Sequence, residues 1–439
     1  MKKEVFLQLV RSLIEKNDTG TPAILLESQM DGHPSNRYSI YAADPVVILT
    51  AFGDHIRLEV NGDITTRRQN PWDALKEVRT ACPGWYLGYF GYDLKNYTED
   101  LDSANDDPAG APDLLFFKPG TLLIYDHRTE TLSSDTGPSP YSEFTQQELN
   151  AVRPSPPADT RLEGFGSDTG RETYLQRILE AQQMIREGDF YEVNLSHLLR
   201  GRFSGSGLDL YEKMKQKGPV PFAAYMQWDN FTVCSASPER FLGREGRRVF
   251  SQPIKGTAAR QENSLDDEEV KRRLLRSEKE RAENLMIVDL VRHDLSKISR
   301  PGTINVPELF SLQSFETVHQ LISTIEGEVI EGIDPVDIVK ACFPMGSMTG
   351  APKIRAMKAI EDLEDYRRGI YSGAAGYIRP DGDFDFNVVI RTAILKEGQL
   401  FYPVGGAITS DSDPEKEWEE TYIKARALTG VMDMPALLK

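Results

Sequence analysis

Glu280 and Glu283 stand three residues apart, as do Glu417 and Glu420. Each pair falls in a segment that reads as helix, so each projects from a single helix face. Two such faces brought together would make a site of hard oxygen donors. Those donors suit Mg2+, which one or two carboxylates usually hold together with anionic groups of a substrate. Spacing alone also fits solvated helix charges, with Glu420 pairing to Lys424 one turn on. In Pro253-Ile254-Lys255-Gly256-Thr257, one lysine ends an apolar run directly before a glycine that lets another backbone or a ligand come close. That is a place for a nucleophile or for a plain surface charge. As a nucleophile the lysine would need desolvation or a neighbouring cation to lower its pKa.

Three further positions could contribute. The run Phe343-Pro344-Met345-Gly346-Ser347-Met348-Thr349-Gly350-Ala351-Pro352-Lys353 puts glycines and hydroxyls before a helix start at Pro352, but its spacing is not that of a Walker loop. Its backbone N–H groups could meet a carboxylate, or simply cap the helix. His319 sits among alternating apolar residues and could serve acid-base chemistry or be a satisfied core histidine. Glu239 follows Ser235-Ala236-Ser237-Pro238 where a strand would turn, and a partly buried carboxyl there could hold a proton for a leaving group.

The elements that must position these groups are legible in outline. Ala23 to Leu26 and Gly84 to Phe90 are apolar runs between turn formers and predict strands of an α+β half. From Ser133 to Asp168 the composition turns to Pro, Ser, Gly, Asp and Thr, which predicts a linker over 133–168 between an N-terminal subdomain, 1–132, and a second domain, 169–439. Asp168 or Thr169 should cap a helix carrying Tyr174, Ile178, Ala181 and Ile185 on one face, with Gly188 ending it. A strand should follow over 190–195. Ser277 to Ile298 predicts an amphipathic helix with Leu285, Val288, Val291 and Leu295 on one face, and Asp413-Pro414 should open a last helix running through Ala425.

Composition restricts partners more than substrates. With 439 residues, 39% of them hydrophobic, the chain can bury a large core, while its net charge of −17 opposes nucleic acid and anionic membranes. No run approaches the roughly 20 apolar residues of a membrane span, and the start lacks a signal-like core. Cys82, Cys234 and Cys342 are too few and scattered for a disulfide framework or a CxxC metal site. A cytoplasmic protein is expected.

Taken in order, these segments resemble the chorismate-utilising enzymes: component I of anthranilate and aminodeoxychorismate synthases, isochorismate synthases and salicylate synthases. The resemblance runs from about Thr169 to Met434, through Tyr191 to Ser196, Ser237-Pro238-Glu239-Arg240, Pro253 to Thr257 and Glu283 to Leu290. It continues through the Gly346 loop, Asp385-Phe386-Asn387, Ile390-Arg391-Thr392, Gly405-Gly406 and Asp411 to Glu415. The N-terminal half matches more loosely, at Leu25-Leu26-Glu27-Ser28 and Arg37-Tyr38-Ser39; similar segments occur in tryptophan-regulated relatives and in unregulated ones.

The resemblance implies a complex α+β fold with facing β-sheets inside, helices outside and a cleft in the C-terminal half. It implies that Glu283 and Glu420 hold Mg2+ on a chorismate carboxylate, with Glu280 and Glu417 close behind. Tyr371, Arg391, Lys424, Thr349 and the backbone at Gly405 and Gly406 would hold the substrate, with Glu239 as general acid and His319 beside it in the catalytic set. Lysine at position 255 marks the aminodeoxychorismate synthase branch, where it attacks ring C2 and ammonia then displaces it at C4, on the route to para-aminobenzoate and folate. Anthranilate synthase component I, usually alanine at that position, is the alternative; a catalytically silent chorismate- or amino-acid-binding regulatory subunit is the alternative from another class. The carboxylate pairs taken alone would also suit a glycosidase.

Three departures accompany the match. Glu192 stands where glutamine is usual in aminating members and isochorismate-type enzymes carry a lysine; His293 replaces the usual asparagine; and Ala258-Ala259-Arg260 replaces Arg-Pro-Arg. No pattern of nucleophilic cysteine with histidine marks a glutamine-hydrolysing half, so ammonia is expected from a separate glutamine amidotransferase subunit.

Overall fold

Alternation of side chains along the strands sets the architecture, because successive residues face opposite sides of a sheet. Along the strand Ala23–Glu27, Ile24 enters one apolar cluster with Ile40 and Ala42, whereas Leu25 enters another with Tyr41 and Ala43. Along Leu114–Asp126, Leu115 and Phe117 join the first cluster, and Leu114 and Phe116 join a third. The shared cluster draws almost wholly on strands: it is the interior between facing sheet layers. The other clusters lie under helices. Trp72, Leu75 and Val78 of Pro71–Ala81, with Ile287, Val288 and Val291 of Glu278–Ser296, close one outer face. Phe6, Leu9 and Val10 of Lys3–Lys16, with Leu210 and Tyr211 of Gly207–Lys217, close another. The expected α+β arrangement of sheets inside and helices outside is the one present.

This description rests on a computed structural model and covers residues 2–17, 20–30, 37–134, 159–261, 263–315 and 318–432. Among these residues twenty-one strands join into one hydrogen-bonded network. Ala23–Glu27 pairs antiparallel with Phe222–Trp228, and Tyr86–Phe90 with Ala374–Ile378, so strands from 1–132 and 169–439 pair directly. Most of the expected linker lies outside the described residues, but its last part, Arg161–Ser167, is a strand paired with Glu192–Ser204. Phe165 anchors it in the apolar core, which the polar composition around it had concealed.

Other local expectations are also corrected. The helix Arg171–Glu187 buries Tyr174, Ile178 and Ala181 and stops at Gly188 with φ 89°, but its N-cap is Gly170 without a side-chain bond. Asp168 instead pairs with Arg200 at 3.2 Å, and Thr169 bonds Asp365 at 3.2 Å. The strand expected over 190–195 runs over Glu192–Ser204. On Glu278–Ser296 the buried stripe is Asn284, Ile287, Val288, Val291 and Leu295, while Leu285 is exposed. Asn284 can be buried because Ser323 Oγ donates to its Oδ1 at 2.6 Å. Among the described residues no helix is long and apolar enough to cross a membrane. A cleft of about 610 Å3 is bordered by Glu27, Ser28, Tyr38, Phe222, Arg240 and Tyr377, so the Leu25–Ser28 segment edges a cavity.

Candidate active site

Two helices carry the carboxylates. Ser277 Oγ accepts from Glu280 N–H at 3.3 Å and starts Glu278–Ser296, which carries Glu280 and Glu283. Asp413 accepts from the N–H groups of Glu415 and Lys416 at 3.0 and 3.1 Å, with Pro414 in the first turn, and starts Pro414–Lys424, which carries Glu417 and Glu420. Such caps satisfy donors that a helix start otherwise leaves bare.

Glycines let the neighbouring strands reach these carboxylates. Gly256, on the strand Ile254–Ala259 with φ +85°, would place a Cβ 3.0 Å from Glu280 Oε2. Gly406, on the strand Gln399–Ile408, would place one 3.2 Å from Glu417 Oε2. Any larger residue would press on the acidic groups.

The charges of the two helices meet. Burial raises the Glu280 carboxyl, and repulsion from Glu420 on the other helix adds to the rise. Glu283 is raised to about 7, chiefly by burial, with Glu192 and Glu280 adding to the rise and Lys255 opposing it. Burial also raises Glu417, to which Ser412 Oγ donates at 2.8 Å. Glu420 is lowered, chiefly by Lys424 at 2.8 Å, and is the exposed member of the set. That pair is the one anticipated for a plain helix charge. Among the described residues no three His, Cys, Asp or Glu side chains converge closely enough to enclose a metal by themselves.

Lys255, near these carboxylates, has a side chain that is 11% exposed. Its Nζ donates to Glu192 Oε1 at 2.7 Å, and Glu192 is completely buried. Burial works to deprotonate the lysine, but Glu192, Glu283 and Glu239 outweigh it and raise the pKa. The desolvation a nucleophilic lysine requires is present; the lowered pKa is not.

Glu239, buried at the start of the strand Arg240–Glu245, accepts from Ser347 Oγ at 2.7 Å. Burial raises its carboxyl to about 7 against the opposing effects of Ser347 and Lys255, so near neutral pH it can both hold and release a proton. Arg391 has φ +51°, and burial lowers its pKa. Among the described residues no carboxylate forms an ion pair with its guanidinium. A cation left in this way is suited in chemistry to an anionic partner. The neighbouring Tyr402 hydroxyl is buried with no hydrogen-bond partner among the described residues.

The other expected residues fall in different places. Tyr371 is buried with the Arg368 guanidinium 5.8 Å from its ring centroid. Lys424 Nζ also donates to the Gly405 carbonyl at 2.8 Å, which joins the second acidic helix to the Gly405-Gly406 strand. Thr349 turns its hydroxyl to the carbonyls of Met345 and Gly346, while its own carbonyl accepts from Asn194 N–H at 2.8 Å. The N–H groups of Met348 and Thr349 are spent within the same turn, and Lys353 bonds Asp294 at 2.6 Å, so this part of the loop builds structure. His319 is wholly buried, with Ser314 Oγ 2.8 Å from Nδ1 and Asp267 Oδ1 2.8 Å from Nε2. Both ring nitrogens have partners within the protein.

Sequence reasoning missed the parts that brace the site. Arg368 is buried and donates to the Met348 and Asn194 carbonyls, each at 2.7 Å, and to Glu364 at 2.6 Å. Glu364 in turn accepts from the Ser196 N–H and hydroxyl, each at 2.7 Å. This network ties the strand bearing Glu192 to the loop bearing Ser347. Only a four-residue Glu364–Arg368 spacing marks it in the sequence, and that spacing ordinarily signals a surface pair.

Facing sheets position two acidic helices, a lysine paired with a buried glutamate and a guanidinium that, among the described residues, has no ion-pair partner. The chain belongs to the chorismate binding enzyme family, which matches residues 21–430. It is 34% identical to aminodeoxychorismate synthase component 1 of Escherichia coli over 92% of each chain. It is also 37% identical to anthranilate synthase component 1 of Thermus thermophilus, over 80% of this chain and 78% of that one. The crystal structure of anthranilate synthase component I from Streptococcus pneumoniae superimposes with a TM-score of 0.78 at 29% identity, covering 91% of this chain and 93% of that one.

Proposed function

We infer that this chain is the chorismate-aminating component of an aminodeoxychorismate synthase, converting chorismate and ammonia to 4-amino-4-deoxychorismate. The observation that carries this reading is Lys255: a largely enclosed amine paired with Glu192 and under the electrostatic influence of Glu283 and Glu239. Relatives named for this activity support it, and relatives named anthranilate synthase make that reaction the second reading.

Arg391 binds one substrate carboxylate in this scheme, since among the described residues no carboxylate forms an ion pair with its guanidinium. Glu239, bonded to Ser347, gives its proton to the departing C4 hydroxyl as Lys255 Nζ bonds to C2. The C–O bond breaks with release of water. Ammonia then bonds to C4, and the bond from Lys255 to C2 breaks as the double bond shifts back. Pyruvate stays on the product.

The carboxylates fit Mg2+. They are hard oxygens from two helices, and two of them plus a substrate carboxylate would suffice where, among the described residues, no three protein groups enclose an ion. Glu283 and Glu420 would hold it, with Glu280 and Glu417 behind, and Mg2+ when bound neutralises substrate charge and polarises the ring. The same reading makes the supplier of ammonia a separate glutamine amidotransferase subunit and the compartment the cytoplasm, in keeping with three free cysteines.

Incubation with chorismate, Mg2+ and ammonium tests the function. The expected product is 4-amino-4-deoxychorismate, identified by mass, with no pyruvate released; anthranilate with stoichiometric pyruvate would decide for the second reading.

A further inference from the structure

For Lys255 to attack a carbon it must first give up a proton, and its neighbours hold that proton on. Among the described residues Glu192 is the one carboxylate paired with Nζ, at 2.7 Å. Glu283 and Glu239 raise the lysine pKa from farther away, and Glu280 and Glu420 also feel its charge. Glu192 is completely buried, and its second oxygen, Oε2, has no hydrogen-bond partner among the described residues. A glutamine here would still bond the amine through its carbonyl, so positioning does not demand a carboxylate. A buried carboxylate with an unmatched oxygen is costly and calls for an explanation.

We propose that Glu192 is the base that takes the proton from Lys255 and returns it at the end of each turnover. The inference rests on the covalent-lysine reading above. In a site shielded from water the neutral amine and neutral carboxyl lie closer in energy to the ion pair than they do in solution, because burial penalises both charged forms. The proton count closes. Nζ–H passes to Glu192; the free amine bonds to C2 and becomes a secondary ammonium; Glu239 gives its proton to the leaving hydroxyl. Incoming ammonium passes one proton to the Glu239 carboxylate and bonds to C4 as ammonia. Lys255 leaves as a neutral amine and recovers its proton from Glu192. The sum is chorismate plus ammonium giving the ammonium form of the product plus water.

The test is the rate at which the intact protein gains the mass of the Lys255 adduct, with chorismate and Mg2+ and without ammonium, by rapid quench across pH. Glu192→Gln should slow adduct formation by about 100-fold at neutral pH, a size typical of a lost general base. The rate should recover roughly tenfold per pH unit as solvent comes to take the proton. Glu192→Asp, which keeps a carboxylate, should be slower than the parent while retaining its shallower pH dependence. An unchanged or faster rate in Glu192→Gln would overturn the proposal and make Glu192 a restraint on the lysine. Equal losses with identical pH profiles in both variants would make its role structural and overturn it too. If the parent protein forms no adduct at all, the covalent reading itself fails, and this inference with it.

Discussion

Ser347 Oγ donates to Glu239 Oε1 at 2.7 Å, so a hydroxyl from the loop after Phe343 steadies the charged form of a carboxyl that burial holds at about 7. The two opposing influences make the proton on Glu239 removable. As a general acid Glu239 must be protonated, so the rate limb it controls falls as pH rises through about 7. Removing the hydroxyl takes away a bond that favours the carboxylate and raises the pKa further. Ser347→Ala should therefore move the alkaline limb of kcat to higher pH, read from a pH–rate profile. A shift to lower pH would show that Glu239 is not the acid.

Lys255→Ala removes an amine but no cation that holds a substrate carboxylate. Amination should fall at least 1,000-fold, the scale of losing a nucleophile that the other groups cannot replace. Chorismate binding, followed by intrinsic fluorescence in the presence of Mg2+, should change little. Full activity in this variant would exclude covalent participation.

Glu283→Gln exchanges a charged oxygen donor for a neutral one while keeping the shape. The magnesium concentration for half-maximal activity should rise tenfold or more, and Glu420→Gln should act in the same direction, because Mg2+ favours anionic ligands. An unchanged magnesium titration in both variants would remove these residues from the metal site.

The fold and the site were not equally legible in the sequence. Helix starts with strong local chemistry were readable: Asp413-Pro414 caps its helix as expected, and Gly188 ends another with positive φ. The carboxylate pairs were readable as faces, yet nothing local says that Glu280 and Glu420 approach one another, since strand pairings far apart in the chain set that approach. The alternating apolar context of His319 does not reveal Asp267, which comes from another element to pair with its ring. Leu285 misled because burial of Asn284 beside it depends on Ser323, so the apolar stripe turned.

Arg368 supplies a prediction for stability. Its guanidinium is wholly inside the protein, paired with Glu364 and bonded to the Met348 and Asn194 carbonyls. Arg368→Met leaves the Glu364 carboxylate buried without its counter-charge, and breaking one side of such a pair costs about 3–5 kcal/mol. The double change Arg368→Met with Glu364→Leu removes both charges, so it should recover part of that loss, although the Met348 and Asn194 carbonyls would lose the Arg368 donor and Ser196 N–H its acceptor, while the Ser196 hydroxyl keeps Tyr366. Denaturant unfolding of the parent, the single and the double variant measures the coupling. If the single change costs under 1 kcal/mol, the bond between the Glu192 strand and the Ser347 loop lies elsewhere, because a buried carboxylate stripped of its partner cannot be that inexpensive.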